Sequence, residues 1–311
     1  MRSHKWYTPW MLVAPAVIWV LVFALWPFIN TIGLSFTNAR PLLPGKFIGI
    51  DNYTRMFSDP QFGYALQTSL LYMVICVPLL TVLPLLLALL VEKTIPWIGF
   101  FRTTFYFPVI ASVVVVALIW SWIFDSRGII NEALQTFGWI QKPIPFLVDR
   151  WWLLACAILL TVWKGLGYYM VVYLAALGGS GTKELHEAAS LDGAGSFQRF
   201  LSVTIPSVRM AMVLIMALVA VSAIRVFTEL QVLTNGTGGP GGQDMSIVMM
   251  IKNVGSGLTG NVGYASAISV FLFFLTLFPL LGIAFLNREK KDRAPKAPKA
   301  RKAYTAKKVA A

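Results

Sequence analysis

The chain has 311 residues, of which 57% are hydrophobic and 13% are charged, and its formal net charge is +13 at pH 7. This composition excludes an ordinary soluble domain, in which about a quarter of the residues are charged, and it predicts an all-α protein embedded in a lipid bilayer. The positive charge does not indicate binding to nucleic acid, because residues 288–308 alone carry ten Lys or Arg against two acids.

Six apolar segments are each long enough to cross about 30 Å of hydrocarbon, which takes roughly 20 residues of helix. They predict transmembrane helices over residues 10–31, 66–91, 105–124, 151–177, 207–230 and 262–286. An even number of spans places both termini on one side of the membrane. The flanking segments are a short N-terminus, residues 1–9, and a disordered basic tail, residues 287–311, which we expect to contact anionic membrane lipid.

The distribution of positive charge predicts which side this is. Without the tail, the segments on the side of the termini and the loops on the other side carry seven Lys or Arg each. The tail alone therefore decides the positive-inside rule. It predicts that both termini, and the polar loop at residues 178–206, are cytoplasmic.

That loop lies between the fourth and fifth predicted spans and contains the sequence EAASLDGAGSFQRFLSVTIP from Glu187 to Pro206. Thr182 is a candidate N-cap, and Asp192-Gly193 predicts a turn in which glycine takes a positive φ. We therefore expect a short helix, a sharp bend and a second helix. The second helix carries a loose apolar stripe formed by Phe197, Phe200, Leu201 and Val203. Two such helices suit either the groove of a partner protein or a surface of lipid headgroups.

The fourth and fifth predicted spans contain ionisable side chains. Lys164 lies in the fourth span, and Arg225 and Glu229 lie four residues apart in the fifth, on one face of a continuous helix. A charge near the bilayer centre costs about 2.5 to 3.5 kcal/mol, so such groups usually face a polar cavity or a partner. Arg225 and Glu229 therefore either line a translocation path or pair with each other near the outer interface.

The polar loop resembles the EAA loop of the permease subunits of bacterial importers driven by ATP-binding cassette proteins. The residues that carry this resemblance are Glu187, Ala188, Ala189, Asp192, Gly193 and Ala194, followed by Val203, Ile205 and Pro206. Val203 and Ile205 replace the usual Ile and Leu of the family and keep the apolar character. Elsewhere, the segments similar to the carbohydrate-uptake subfamily, and specifically to the maltose-system F subunit, are 48–53, 105–108 and 233–240.

This resemblance implies the type I importer permease (MetI-like) fold and a place in the bacterial plasma (inner) membrane. It implies three kinds of protein partner: a second, non-identical permease subunit, two copies of an ATP-binding subunit, and an extracytoplasmic solute-binding protein that delivers a sugar. The resemblance also implies that the loop docks onto the ATPase. The residues expected to couple the two proteins are Glu187, Ala188, Ala189, Asp192, Gly193, Ala194, Phe200 and Pro206.

A sugar pathway needs aromatic faces against C–H surfaces and polar groups against hydroxyls. The residues that we expect to line it are Trp163, Gly167, Tyr168, Ser222, Arg225, Phe227 and Glu229. Each aromatic residue is alternatively a helix-packing residue. Glycerol 3-phosphate or a polyol phosphate is the alternative substrate for an importer of this type.

Sequence motifs for catalysis are incomplete. Glu184 stands where a phosphate-binding loop needs Ser or Thr after Lys183, and Ser190 replaces the second histidine of a zinc motif that starts at His186. We therefore expect no catalytic residue, metal site or cofactor in this chain, with ATP and magnesium on the partner ATPase.

Two other classes of membrane protein are alternatives. An ion-coupled secondary transporter predicts internal repeats and carboxylates at mid-membrane, of which the sequence has only Glu229, and an intramembrane enzyme needs a nucleophile with a base, or a metal site.

Overall fold

The structure, a computed structural model, describes residues 7–92, 96–179 and 181–292. In these ranges the chain is helical, with irregular connections and two isolated antiparallel β-bridges in the loop after the first crossing, Thr37–Phe47 and Arg40–Leu43. Residues 1–6 of the predicted N-terminus and residues 293–311 of the predicted basic tail lie outside the described ranges, so the predictions for them stay predictions.

The described chain contains fifteen α-helices and three short helical turns of other types. The α-helices are α1 (Thr8–Val20), α2 (Trp26–Ser35), α3 (Asp51–Ser58), α4 (Pro60–Val91), α5 (Ile98–Ile110), α6 (Val113–Ile123), α7 (Ile129–Thr136), α8 (Arg150–Gly178), α9 (Thr182–Leu191), α10 (Ser196–Arg199), α11 (Ile205–Ser207), α12 (Arg209–Ile224), α13 (Thr228–Leu233), α14 (Ile247–Gly255) and α15 (Val262–Asp292). The other turns are π-helical at Leu21–Leu25 and Phe200–Thr204 and 3₁₀ at Pro240–Gly242.

Polar side chains mark where several helices begin. The carboxylate of Asp59 accepts a hydrogen bond from the N–H of Gln61 at the start of α4, where Pro60 occupies the first helical position. Asp149 accepts from the first N–H groups of α8, and Ser246 from an N–H in the first turn of α14. These caps satisfy donors that have no partner inside the helix.

Five helical stretches in the described ranges are long and apolar enough to cross a membrane. They are Trp10–Ser35, Pro60–Val91, Arg150–Gly178, Arg209–Leu233 and Val262–Ile283. A sixth crossing is formed by α5 and α6 together, which are bent by 97° at the break between them. The six crossings agree with the all-α, six-span fold class.

The third crossing differs from the single run predicted at 105–124. It begins earlier, at Ile98, and is interrupted where Ala111 (ψ 141°) and Ser112 (ψ 130°) adopt extended backbone. The hydropathy pattern indicates that these residues lie in lipid, but it does not show where the helix axis changes direction. The break is therefore visible only in the backbone angles.

The fifth crossing is also interrupted, and this corrects the prediction that Arg225 and Glu229 share one face of a continuous helix. α12 ends at Ile224, Phe227 has φ −141° and ψ −59°, and α13 begins at Thr228. A spacing of four residues brings side chains together only where the helix is unbroken. Arg225 and Glu229, both of which the structure describes, form no ion pair with each other.

The bundle is built around α4, α8 and α12, which pack on one another. The N-terminal half of the third crossing, α5, packs on α8, whereas its C-terminal half, α6, packs on α13, the C-terminal half of the fifth crossing. α15 packs on α2, α12 and α14. Large side chains such as Tyr72, Tyr173 and Leu160 are fully buried in this core.

The first crossing is only partly attached to the bundle. α2 packs on α15, but the principal contact of α1 is with the π-turn that follows it. Within the described part of the chain, none of the apolar window of Trp10–Ser35 is buried. The N-terminal half of this crossing, α1, therefore presents apolar surface to lipid or to another protein.

Candidate functional site

The polar loop begins at α9, although not in the way that its sequence predicts. Thr182 is the first residue of the helix and is buried, and the N-cap position belongs to Gly181, which has a φ of 60°. The prediction of Thr182 as the N-cap is therefore wrong by one residue. Glycine takes the left-handed conformation without steric cost, so it turns the chain from α8 into α9.

The predicted turn after α9 is confirmed by the backbone. Gly193 has a φ of 79°, and its N–H donates to the carbonyl oxygen of Ser190 at 3.2 Å. The N–H of Ala194 donates to the carbonyl oxygen of Ala189 at 3.0 Å. These bonds close the end of α9 as in a glycine-terminated helix, and α10 starts three residues further on, at Ser196.

The first helix of the loop is tied to the end of the loop. The imidazole Nε2 of His186 lies 3.0 Å from the hydroxyl Oγ1 of Thr204, which is buried. Phe200 is half-buried and packs against the main core, and Val203 is buried. Phe200 therefore anchors the loop to the rest of the chain. The predicted apolar stripe of the second helix is divided between two surfaces, because Phe200 and Val203 face the core whereas Phe197 and Leu201 are exposed.

The outer surface of the loop carries the other predicted coupling residues. Glu187, Ala188, Asp192, Gly193 and Pro206 are exposed, whereas Ala189 and Ala194 are half-buried against the loop. The sequence reasoning missed Leu191, which is 89% exposed, beside Phe197 at 74%. A large apolar residue placed directly before the Asp192-Gly193 turn was the available signal for it.

A cavity of about 180 Å³ lies at the break of the fifth crossing. It brings together four of the predicted pathway residues, Ser222, Arg225, Phe227 and Glu229. Eight residues of this cavity were missed by sequence reasoning, and those with a hydroxyl or thiol group are Tyr72, Cys76, Thr161 and Thr228. Polar residues inside apolar spans were the signal for Tyr72 and Thr161.

Two of these residues connect neighbouring spans at the cavity wall. The hydroxyl of Tyr72 on α4 donates to the carbonyl oxygen of Ala157 at 2.9 Å and shares a hydrogen bond of 2.5 Å with Thr161 Oγ1. Both partners are on α8. This arrangement fixes a polar wall opposite Glu229.

Arg225 occupies the break itself and is exposed. Besides the first cavity, it lines a second one of about 380 Å³, together with Ser269 and Thr276 of α15. Arg225 therefore borders two cavities, and hydroxyl groups are present in both.

The predicted pathway residues of the fourth crossing lie outside this cavity lining. Trp163 packs on Trp120 of α6, with ring centroids 5.5 Å apart. Gly167 is buried, and a β-carbon there would collide with the carbonyl oxygen of Phe105 on α5. Tyr168 is 46% exposed and contacts the ring of Tyr169 edge to face. Helix packing thus accounts for Trp163 and Gly167.

A buried carboxylate lies on the other side of the bundle from the polar loop. Asp244, between α13 and α14, is fully buried, and its Oδ1 lies 3.9 Å from Nε of Arg150. Neither carboxylate oxygen has a hydrogen-bond partner among the described residues. Burial raises the pKa of Asp244 to about 7, against the lowering effect of the Arg150 guanidinium and with a smaller rise from Asp149.

In the described ranges, no three His, Cys, Asp or Glu side chains are grouped so that they could hold a metal ion. The two cysteines, Cys76 and Cys156, are both buried and free. The polar groups of the site thus offer hydrogen bonds and charge.

Known proteins resemble this chain over most of its length. The family model described as "Binding-protein-dependent transport system inner membrane component" matches residues 143–291. The lactose transport system permease protein LacF of Rhizobium radiobacter is 32% identical over 246 residues, which cover 79% of this chain and 82% of that protein. The trehalose/maltose transport system permease protein MalF of Thermococcus litoralis is 30% identical over 251 residues, 78% of this chain and 82% of that protein.

The fold also matches a solved structure. A chain in the crystal structure of a bacterial ABC transporter involved in the import of the acidic polysaccharide alginate superposes with a TM-score of 0.75 at 25% identity. The match covers 90% of this chain and 96% of that chain.

Proposed function

Since this chain belongs to the family of binding-protein-dependent transport system inner membrane components, we propose that it forms half of the translocation pathway for a mono- or oligosaccharide in an ATP-driven importer. It is a multi-pass membrane protein and a permease subunit of an ABC transporter, and therefore a transport component rather than an enzyme. We further propose its substrate class, its partner subunits and the residues that bind sugar and dock the ATPase.

The cavity at the break of the fifth crossing is the observation that carries the proposal. Its lining combines a cation, a carboxylate, hydroxyl groups and the ring of Phe227. Sugar hydroxyls both donate and accept hydrogen bonds, so they suit a wall that offers both kinds of partner. An aromatic ring suits the C–H faces of a sugar.

The same lining favours a sugar over glycerol 3-phosphate or a polyol phosphate. Arg225 would attract a phosphate group, but the carboxylate of Glu229 lines the same cavity. Like charges at close range in a low-dielectric site repel strongly. A neutral polyhydroxylated molecule uses both residues without this repulsion.

The exposed face of the polar loop supports a role in docking an ATPase. Leu191, Phe197 and Leu201 present apolar surface without cover from the described chain, and contiguous apolar patches on the water side of a protein mark interaction sites. We propose that this loop is the cytoplasmic coupling loop, that both termini are cytoplasmic, and that one ATP-binding subunit docks on this loop and a second copy on the partner permease.

The first crossing supports a second, non-identical permease subunit. The apolar surface of α1 stands away from its own bundle, and Arg225 also lines the second cavity, of about 380 Å³. A second permease would cover the surface and complete the pathway. The sugar would be delivered from outside by a solute-binding protein, on which the family depends.

Glu229→Gln tests the sugar pathway. We expect the maximal rate of sugar uptake into proteoliposomes that contain the assembled importer to fall about tenfold, because a hydrogen bond to a charged group contributes about 1.5–3 kcal/mol. The matched control is Glu132→Gln, which removes an exposed carboxylate on α7, outside the cavity. Uptake by this control should equal that of the unaltered protein.

The same proteoliposomes decide the substrate class. We expect labelled disaccharide uptake to be unaffected by excess glycerol 3-phosphate and abolished by excess unlabelled disaccharide. Competition by glycerol 3-phosphate, or unchanged uptake in Glu229→Gln, would contradict the proposed sugar site.

A further inference from the structure

The break in the third crossing leaves backbone carbonyl groups at membrane depth. α5 ends at Ile110, and the backbone is extended at Ala111 and Ser112 before α6 begins. The last carbonyl groups of a helix have no partner within that helix, and in hydrocarbon each unsatisfied backbone group costs several kcal/mol. Donors must therefore come from another part of the chain.

Lys164 on α8 supplies these donors. Its ammonium nitrogen Nζ lies 3.2 Å from the carbonyl oxygen of Pro108, 3.2 Å from that of Val109 and 2.7 Å from that of Ala111. A lysine ammonium group has three N–H donors, so the three carbonyl groups use all of them. A cation at this position is also favoured by the negative end of the α5 dipole.

The residues around Lys164 hold the two halves of the third crossing in different ways. At Gly167, one turn further along α8, the backbone of α5 comes into direct contact with α8. The outer half, α6, meets this part of α8 through the ring contact between Trp120 and Trp163. α5 is therefore bound to α8 by polar bonds and close backbone contact, and α6 by an aromatic contact.

The start of α6 is held less firmly than the end of α5. The hydroxyl of Ser112, at the N-cap position, does not bond to an N–H of the first turn of α6, which the structure describes. α6 packs instead on α13, beside the cavity at the break of the fifth crossing. Bending of the third crossing is therefore easiest at Ala111 and Ser112.

We propose that Lys164 is a positioning residue for transport, which fixes α5 to α8 so that movement of α8 is delivered to the break at Ala111–Ser112. α8 ends at Gly178, immediately before the coupling loop, so it connects that loop to the broken crossing. The inference rests on the proposed function, because it requires movement driven by the partner ATPase. Without the hydrogen bonds of Lys164, α8 slides past α5 and its movement does not reach the break.

Lys164→Met tests this role, because methionine keeps an unbranched apolar chain and removes all three donors. In proteoliposomes with the complete importer, we expect the maximal uptake rate to fall about tenfold, with the KM for sugar-loaded binding protein within about twofold of its original value. Lys164→Arg keeps several donors, and we expect it to restore at least half of the rate.

Arg102→Met is the matched control. The guanidinium group of Arg102 donates to the carbonyl oxygen of Val91, at 3.0 and 2.6 Å, and to that of Glu92, at 3.2 Å. It thus caps the end of α4 as Lys164 caps the end of α5, but at an unbroken crossing. We expect its maximal rate to stay within about twofold of the original. A normal rate in Lys164→Met, or an equal loss in Arg102→Met, overturns the proposal.

A second measurement needs neither partner proteins nor substrate. Spin labels are placed at Thr104→Cys on α5 and Ile119→Cys on α6, both exposed positions, in a full-length chain with Cys76 and Cys156 replaced by alanine. We expect Lys164→Met to broaden the distance distribution across the break in lipid nanodiscs, and Arg102→Met to leave it narrow.

An unchanged distribution in Lys164→Met overturns the proposal even if the variant importer fails to assemble. If the unaltered importer transports no sugar, the proposed function fails, while this distance measurement still decides whether Lys164 holds the break.

Discussion

Buried polar side chains of this protein differ in how well their hydrogen-bonding groups are satisfied. The ammonium group of Lys164 bonds to three carbonyl groups, and the hydroxyl of Tyr72 bonds to α8. Asp244 is fully buried, yet neither carboxylate oxygen has a hydrogen-bond partner among the described residues, and its Oδ1 lies 3.9 Å from Nε of Arg150, beyond hydrogen-bond distance. A buried carboxylate without hydrogen bonds is costly when ionised, so Asp244 is where pH acts on this fold.

Asp244→Asn tests this effect. Burial raises the pKa of Asp244 from 3.8 to about 7, so between these values the folded protein holds a proton that the unfolded chain has released. The stabilisation from this proton is fully present below about pH 4 and is lost as the pH rises to about 7. We expect the unfolding temperature of the unaltered protein to fall between pH 5 and pH 8, and that of Asp244→Asn to change less.

Glu132→Gln, which removes an exposed carboxylate, is the control for that series and should keep the slope of the unaltered protein. Equal slopes in Asp244→Asn and the unaltered protein would show that Asp244 is not the titrating group.

At the scale of the element, the proposed coupling loop consists of two short helices held in one arrangement by a glycine turn and by the contact of His186 with Thr204. Its inner face is fixed through Phe200 and Val203, and its outer face ends in Leu191. A loop fixed in this way can move as a rigid body only if the turn at Gly193 keeps its conformation.

Gly193→Pro tests the turn. Proline cannot adopt the φ of 79° seen at Gly193, and it removes the N–H that bonds to Ser190. We expect sugar uptake and stimulated ATP hydrolysis to fall at least tenfold while membrane insertion is unchanged, as loss of both features costs about 3 kcal/mol or more. Gly195→Pro is the control, since Gly195 has a φ of −67°, which suits proline. Equal activity of the two variants would contradict the proposal that the loop moves as a rigid body.

Leu191→Ser tests the docking surface itself. The side chain is 89% exposed, so its loss should leave the fold intact while removing apolar area from the interface. We expect recovery of the ATPase with the tagged permease to fall about fivefold or more, as a buried leucine contributes about 1.5–3 kcal/mol. Leu258→Ser, which changes a residue 76% exposed between α14 and α15, should leave recovery unchanged.

At the scale of the whole molecule, the C-terminal halves of the third and fifth crossings, α6 and α13, pack together, and the N-terminal halves, α5 and α12, pack on α8 and α4. α6 and α13 thus form a pair beyond the two breaks, and both also contact α8. The cavity lies at one of these breaks. The fourth crossing, α8, is by contrast one continuous helix that leads to the proposed coupling loop.

The number of crossings could be predicted from the sequence because apolar length alone decides it. The turn at Gly193 could be predicted because Asp-Gly favours a positive φ. The breaks could not, since the backbone angles at Ala111, Ser112 and Phe227 depend on packing between distant helices. The pairing of Arg150 with Asp244 was invisible for the same reason.

Four of the seven expected pathway residues meet at one cavity, because Ser222, Arg225, Phe227 and Glu229 lie within one short stretch of the fifth crossing. Trp163 and Gly167 do not line it, because aromatic and small residues serve helix packing as readily as ligand binding. Only the three-dimensional contacts distinguish these two uses.

The central claim is that this chain works as one permease subunit driven by a separate ATPase. Its most direct test is to co-express the chain with its genomic neighbours, purify it through a tag at Ala311, and identify the copurifying proteins by mass spectrometry. We predict that an ATPase and a second permease copurify, and that Glu187→Lys lowers recovery of the ATPase while the second permease remains. A stable subunit that purifies alone, and takes up sugar when an ion gradient is supplied, would contradict the account.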